Sequence, residues 1–388
     1  MIDMQENDLI MKNVIENGKK EGNFFQIDLL KAIMIAFVII DHALGYSNYR
    51  GLGYELWERM SIPVFLIILG FNMGNSFQRQ GEQSLKKLYS WNYFKKKLLR
   101  YVFPYLIFYL VSSTAGFLIY GAAFPDTFAE NWILEYLLLQ KSLLEGPGNW
   151  FIPILFQSIL LMPLLYKLFT KKPVITLIGC FVIEACMYLF LCFYIGPITS
   201  IEVILREIPF REVILCYLSA FGIGLWFSKN HKLFSKRNLF VWILFPISLI
   251  YMIAWDFFNF RLQINGSDFV RGDYNYLTFI YSALIFLIVF QLIPKNPKNI
   301  FAKAISPIGK ATFHIYLTQD LYYVILYIIH NDIWTSPSFE GLVNPLAIAS
   351  TDVLINFGLL VLNWIICISV GTIWWYFEEK FLTLFKRK

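Results

Sequence analysis

Charge is what this sequence has least of. Only 15% of its 388 residues are Asp, Glu, Lys or Arg, against 57% hydrophobic and 19% aromatic, which excludes an ordinary soluble domain. Long polar segments are missing too: the longest are the head before Phe24, the basic 78–97 loop and the 330–351 loop. No soluble domain is therefore expected beside the apolar part. Strict apolar–polar alternation is absent, which argues against a transmembrane barrel. Cysteine is sparse, and none of Cys180, Cys186, Cys192, Cys216 and Cys367 stands at metal-ligand spacing. Six-residue steps turn the first three to different helix faces, so all five read as packing residues and no metal is expected. The head MIDMQENDLIMKNVIENGKKEGNF has no hydrophobic centre, so no cleaved signal peptide is expected and the first span is retained. No internal repeat is evident.

What fills the chain instead is a series of continuously apolar runs of membrane-span length. We read ten: Phe25 to Gly45, Trp57 to Ser76, Leu98 to Tyr120, Trp150 to Phe169, Pro173 to Ile195, Arg211 to Phe227, Leu239 to Phe258, Tyr274 to Ile293, Gly309 to Ile329 and Asp352 to Trp375. The apolar part of Phe128 to Leu144 is too short for a span and reads as an interfacial or re-entrant helix. The fold expected is an all-α, polytopic membrane bundle of about ten helices occupying residues 25–377. Tails at 1–24 and 378–388 flank it. With a cytoplasmic start, most Lys and Arg fall inside, and Arg50, Arg59, Lys141, Arg206, Arg211, Arg261 and Arg271 fall outside. Both termini are then cytoplasmic. The net charge of +6 is explained by this bias and by anionic lipid, without a nucleic-acid partner.

The first run, FFQIDLLKAIMIAFVIIDHALG, carries the most informative polar residues. From Lys31 to His42 is about three helical turns and roughly 16 Å, so Asp28, Lys31, Ile35, Val38 and His42 share one stripe. Ionisable groups in a membrane helix face a bundle interior or a watery cavity, which makes the stripe a candidate site. The plainer reading is a Lys31 that snorkels to the inner interface and a His42 in a wet outer mouth. The alignment of the two favours the site. Other polar residues stay open at this stage: Glu184 as a structural pair or a functional carboxylate, and Asn149 and Trp150 as an acceptor site or an aromatic belt. His314 reads as a hydrogen-bonded structural residue, and Tyr316 and Gln319 as candidate lining of an internal path. Gly70 and Gly74 read as a helix-packing face.

These residues bring a resemblance into view. Asp28-x-x-Lys31, ten residues, then His42 is similar to the first span of the acyltransferase-3 family of integral membrane acyltransferases. SIPVFLIILGF (61–71), FKKKLLRYVFPY (94–105), NWFIPILFQSILLMPLL (149–165) and IGKATFHIYLTQDL (308–321) resemble later segments of that family in the same order. Three positions depart from its pattern, Lys31 standing for Arg, Leu69 for Ser and Gln319 for His, while Leu155 and Phe156 fit the branch of the family that lacks a Glu pair before Gln157.

The resemblance implies transfer of an acyl group, usually acetyl from acetyl-CoA or another acyl-CoA, to a hydroxyl of an extracytoplasmic glycan or lipid-linked saccharide. The protein would then work as a multi-pass protein of the plasma membrane. His42 would take the hydroxyl proton or be acylated itself. Asp41 is available to orient it, but neighbouring helix residues point about 100° apart, so Asp41 reads first as a charge in the wet outer mouth. Lys31, Lys97 and Arg100 would hold the anionic end of the CoA donor. Most of the Arg79 to Arg100 cluster serves topology. Asn149, Trp150 and Gln319 would contact the acceptor. Two other readings use the same residues, a glycan-precursor transporter or flippase and an inactive relative acting as a partner subunit. Transporters often show inverted repeats, and none is found. Acceptor identity, acyl length and oligomeric state are not legible.

Overall fold

The computed structural model describes residues 24–44, 53–81, 84–120, 148–195, 212–269, 274–330 and 353–386. The head before Phe24, the Phe128 to Leu144 stretch, and Arg50, Lys141, Arg206, Arg211 and Arg271 lie outside them. The apolar runs fold as helices: α1 Phe25–Leu44, α2 Ser61–Gln78, α3 Phe103–Tyr120, α4 Phe151–Lys171, α5 Pro173–Ile195, α6 Leu218–Lys229, α7 Leu239–Phe258, α8 Tyr276–Leu292, α9 Ile300–His330 and α10 Val353–Lys386. The all-α expectation holds. Among the described residues, strand is confined to a hairpin of β1 Gln263–Ile264 and β2 Ser267–Asp268. Asn265 and Gly266 turn it with positive φ at both positions, as a two-residue type I′ turn requires.

Five stretches among the described residues are long and apolar enough to cross a membrane unaided: Leu85–Gly116, Phe151–Lys171, Pro173–Tyr194, Lys236–Phe258 and Phe357–Leu384. A count of ten does not follow from length and apolarity. The helices α6 and α8 have only 12 and 17 residues. The helices α1, α2 and α9 interrupt apolar sequence with Asp28, Lys31, Asp41, Asn72, Asn75, Lys310 and Asp320. Buried polar side chains on short or interrupted helices are what the centre of a membrane bundle tolerates. The periphery is apolar. Ile178 and Phe193 on α5, Ile250 on α7 and Leu384 on α10 are exposed, as suits lipid-facing helices of a membrane protein.

Two close approaches set the interior. The crossing of α2 and α6 brings Gly70 and Gly224 together, and a Cβ at Gly70 would meet the Phe221 carbonyl and the Gly224 Cα. Small residues let these backbones touch, as expected for Gly70 and Gly74. The second approach matters more for function. A Cβ at Gly309 on α9 would collide with the Asp28 backbone on α1. Gly309→Ala must therefore separate α1 from α9, at about 1–3 kcal/mol. We expect a lowered unfolding temperature in detergent, with no change for Gly179→Ala, whose Cβ would meet nothing within 4 Å. Equal stability of the two variants would refute this reading of the contact.

The approach to α3 carries the basic segment. A helix at Trp91–Lys97, whose Ser90 N-cap accepts from the Tyr93 N–H, runs into a π turn at Leu98–Val102. The Phe103 N–H there donates to the Leu98 carbonyl, five residues back. Pro104 accounts for the wider turn, because its ring presses on the carbonyl of Arg100, four residues earlier, and it has no N–H to offer.

Candidate active site

The stripe on α1 finds its partner on α9. Three pairs run in the same order along both helices: Ser306 Oγ donates to Asp28 Oδ2 at 2.6 Å, Lys31 Nζ to the Gly309 carbonyl at 2.7 Å, and His42 Nδ1 lies 2.5 Å from Gln319 Oε1. The two helices are therefore parallel, and Ile35 and Val38 between the polar pairs are buried. Tyr323 donates to the Ile39 carbonyl and Trp364 of α10 to that of Ala36, which fixes α1 in rotation. The polar groups of α1 thus form two centres at opposite ends of one seam.

At the His42 end, the carboxamide oxygen of Gln319 faces the ring. Nδ1 is then the protonated nitrogen of the neutral imidazole, and Nε2 the basic one. Nε2 lies 3.9 Å from Asp41 Oδ2, so Asp41 supplies a counter-charge for a proton taken up there. Arg59 anchors Asp41 at 3.3 Å, pairs with buried Glu58 at 3.3 Å and donates to the Tyr274 hydroxyl at 3.1 Å. Adjacent positions on α1 were thus no obstacle. The Asp41 carboxylate reaches His42 because Arg59, from the turn before α2, draws it to that side.

The turn before α4 joins this end through α9. Asp320 accepts from the Gly148 N–H at 2.9 Å, and the Tyr316 hydroxyl donates to the Gly148 carbonyl. Asn149 and Trp150 are thereby held next to the segment that carries Gln319. Trp150 stacks on Tyr217 at 5.8 Å and on Tyr274 at 5.6 Å. It thereby ties the start of α4 to the segments before α6 and α8.

At the Lys31 end, Asp28 Oδ1 is 3.9 Å from Lys31 Nζ. Arg100 lies within electrostatic reach of both Lys31 and Lys97. Lys97 and Arg100 rest on the Tyr101 ring at 5.6 and 5.4 Å, and Tyr101 packs edge-on against Phe313 of α9 at 5.7 Å. The π turn and one tyrosine therefore bring the two cations of this segment to the α1–α9 seam.

Other polar residues fall elsewhere. Glu184 is fully buried and accepts from the Ser219 backbone at 2.9 Å and hydroxyl at 2.6 Å, tying α5 to α6. It also lies against the start of α8 through the Tyr276 backbone and reads as a structural pair. His314 faces Glu378 of α10 at 3.2 Å and the edge of Trp374, joining α9 to α10. The cysteines are free thiols, buried except for Cys186. Among the described residues no three His, Cys, Asp or Glu side chains converge as metal ligands.

Arg59, Glu58, Tyr274 and Asp320 belong to the His42 centre and were not singled out by sequence. A Glu-Arg pair immediately before an apolar run was the available signal, since charges abutting a span at its wet end are placed for a mouth rather than for lipid. The family model described as an acyltransferase domain matches residues 24–377, which includes both centres and every helix of the seam. No curated protein and no solved structure matches the chain.

Proposed function

The chain belongs to the acyltransferase-3 family and is a membrane acyltransferase, and from that premise we propose that it moves an acetyl group from acetyl-CoA in the cytosol to a hydroxyl of an extracytoplasmic glycan or lipid-linked saccharide. It does so in the plasma membrane, with both termini cytoplasmic. The observation that carries the reading is the two-ended seam: cations at one end, a histidine held in one tautomer at the other, and one helix pair joining them.

A donor held by its phosphates near Lys31, Lys97 and Arg100 has to present its thioester roughly 16 Å away at His42. Acyl-CoA has this shape, an anionic head and a reactive group separated by a long thin arm. The seam thus selects a donor by length as well as by charge. At the far end His42 Nε2 removes the proton of the acceptor hydroxyl as its oxygen attacks the thioester carbon. The imidazolium formed is compensated by Asp41, itself anchored by Arg59. Collapse of the tetrahedral intermediate breaks the C–S bond, and the thiolate recovers the proton from His42. Asn149 and Trp150 line the acceptor side.

The test is labelled acetyl-CoA given to one face of proteoliposomes carrying the purified protein, with a glycan-containing envelope extract on the other. Label should pass to the glycan and free CoA should appear on the donor side in equal amount. Movement of glycan across the bilayer with no CoA release would instead identify a transporter.

A further inference from the structure

Gln319 is completely buried, and one half of its side chain is unused. Its Oε1 is fixed at 2.5 Å from His42 Nδ1, whereas its Nε2 has no hydrogen-bond partner among the described residues. A buried donor left dry costs about 1–3 kcal/mol, and such a cost calls for an explanation. The amide is planar and its two polar atoms share one carbon, so the His42 contact also fixes where the N–H bonds point. They belong to the same planar group that contacts the imidazole, at the His42 end of the seam. Flanking residues make the position rigid. Asp320 and Tyr316, one residue later and three before, are both locked to Gly148.

We propose that Gln319 is a catalytic residue, one of whose Nε2 hydrogens donates to the thioester carbonyl oxygen as it becomes an oxyanion while its Oε1 holds the tautomer of His42. This rests on the acyl-transfer reading above. Charge balances without any further reactant. The acceptor hydroxyl oxygen bonds to the carbonyl carbon and its proton passes to His42. The carbonyl π electrons move onto oxygen, where the negative charge is stabilised by the hydrogen bond from a Gln319 N–H. They return as the C–S bond breaks, and the leaving sulfur takes the proton from His42. One amide thereby couples base and oxyanion donor in a fixed geometry, and a preorganised donor in a dry site is worth far more than one in water.

The test separates the two halves of the amide. Gln319→Glu keeps an acceptor for His42 but loses the N–H donors, whereas Gln319→Leu loses both. Steady-state release of CoA from acetyl-CoA, with binding of acetyl-CoA measured separately to establish that each variant is folded, provides the readout. Both variants should lose about 10²–10³-fold in kcat with KM for acetyl-CoA within about twofold of native. A Gln319→Glu variant that keeps near-native kcat while Gln319→Leu falls would reduce Gln319 to a positioning residue and overturn the proposal. Native-like turnover of Gln319→Leu would overturn it as well. Absence of CoA release from the native protein itself is a different outcome, which removes the acyl-transfer reading and this inference with it.

Discussion

Replacing His42 with alanine should reduce kcat for acyl transfer by about 10³-fold, within the range that a positioned general base supplies. An alcohol is a weak nucleophile at neutral pH, and among the groups of this centre only an imidazole takes and returns a proton there. Its neighbours leave it little else to do. Gln319 occupies Nδ1 at 2.5 Å, and Asp41 stands 3.9 Å from Nε2 with its own charge shared by Arg59. Since only the neutral ring accepts a proton, native kcat should fall about tenfold per pH unit below the titration of His42. The residual rate of His42→Ala should lack that limb. Acetyl-CoA binding should remain within about twofold, because the donor cations lie roughly 16 Å away along α1. A His42→Ala variant with native turnover, or with the same acidic limb, would remove His42 from the chemistry. A variant that accumulates no product but still labels the protein would separate direct attack from an acylated histidine.

How much of this was legible beforehand follows from what periodicity encodes. Helical spacing placed Asp28, Lys31 and His42 on one face, and the structure puts that face against a single helix. It says nothing about which helix, so Ser306 was not singled out and Gln319 was found without its pairing to the stripe. Gln319 was noticed as a lining residue and as a departure from a family pattern, and its tie to His42 lay in a contact 277 residues apart in sequence. The stacking of Trp150 on Tyr217 and Tyr274 was hidden for a related reason, since both partners come from elements more than sixty residues away. Helix positions were read well because apolar runs are local. The count of spans was not secured, because α6 and α8 are short and α1, α2 and α9 carry the polar groups that build the interior.

Removing the charge of Lys31 should have two effects, and they can be told apart. Its ammonium is a clamp, donating to the Gly309 carbonyl at 2.7 Å where α1 and α9 touch, and it is the nearest cation to Asp28 at 3.9 Å. Lys31→Met keeps the apolar stem but leaves a buried carboxylate without its counter-charge, a loss of about 3–5 kcal/mol in comparable buried pairs. Ser306 still donates to Asp28 and places the cost at the lower end. The Asp28→Asn change removes the stranded charge, so the double variant should recover most of the stability. Donor binding should not recover with it. If Lys31 also contributes a charge-assisted hydrogen bond to a donor phosphate, worth about 1.5–3 kcal/mol, KM for acetyl-CoA stays raised about 10- to 100-fold in the double variant with kcat little changed. Stability restored together with native KM would show that Lys31 serves only to hold the helices, and the donor's charge would then be met by Lys97 and Arg100 on the Tyr101 ring. The Lys in place of Arg fits the first outcome. A compact ammonium donates to the Gly309 carbonyl at 2.7 Å, where the backbones of α1 and α9 touch, and keeps two further hydrogens for a phosphate.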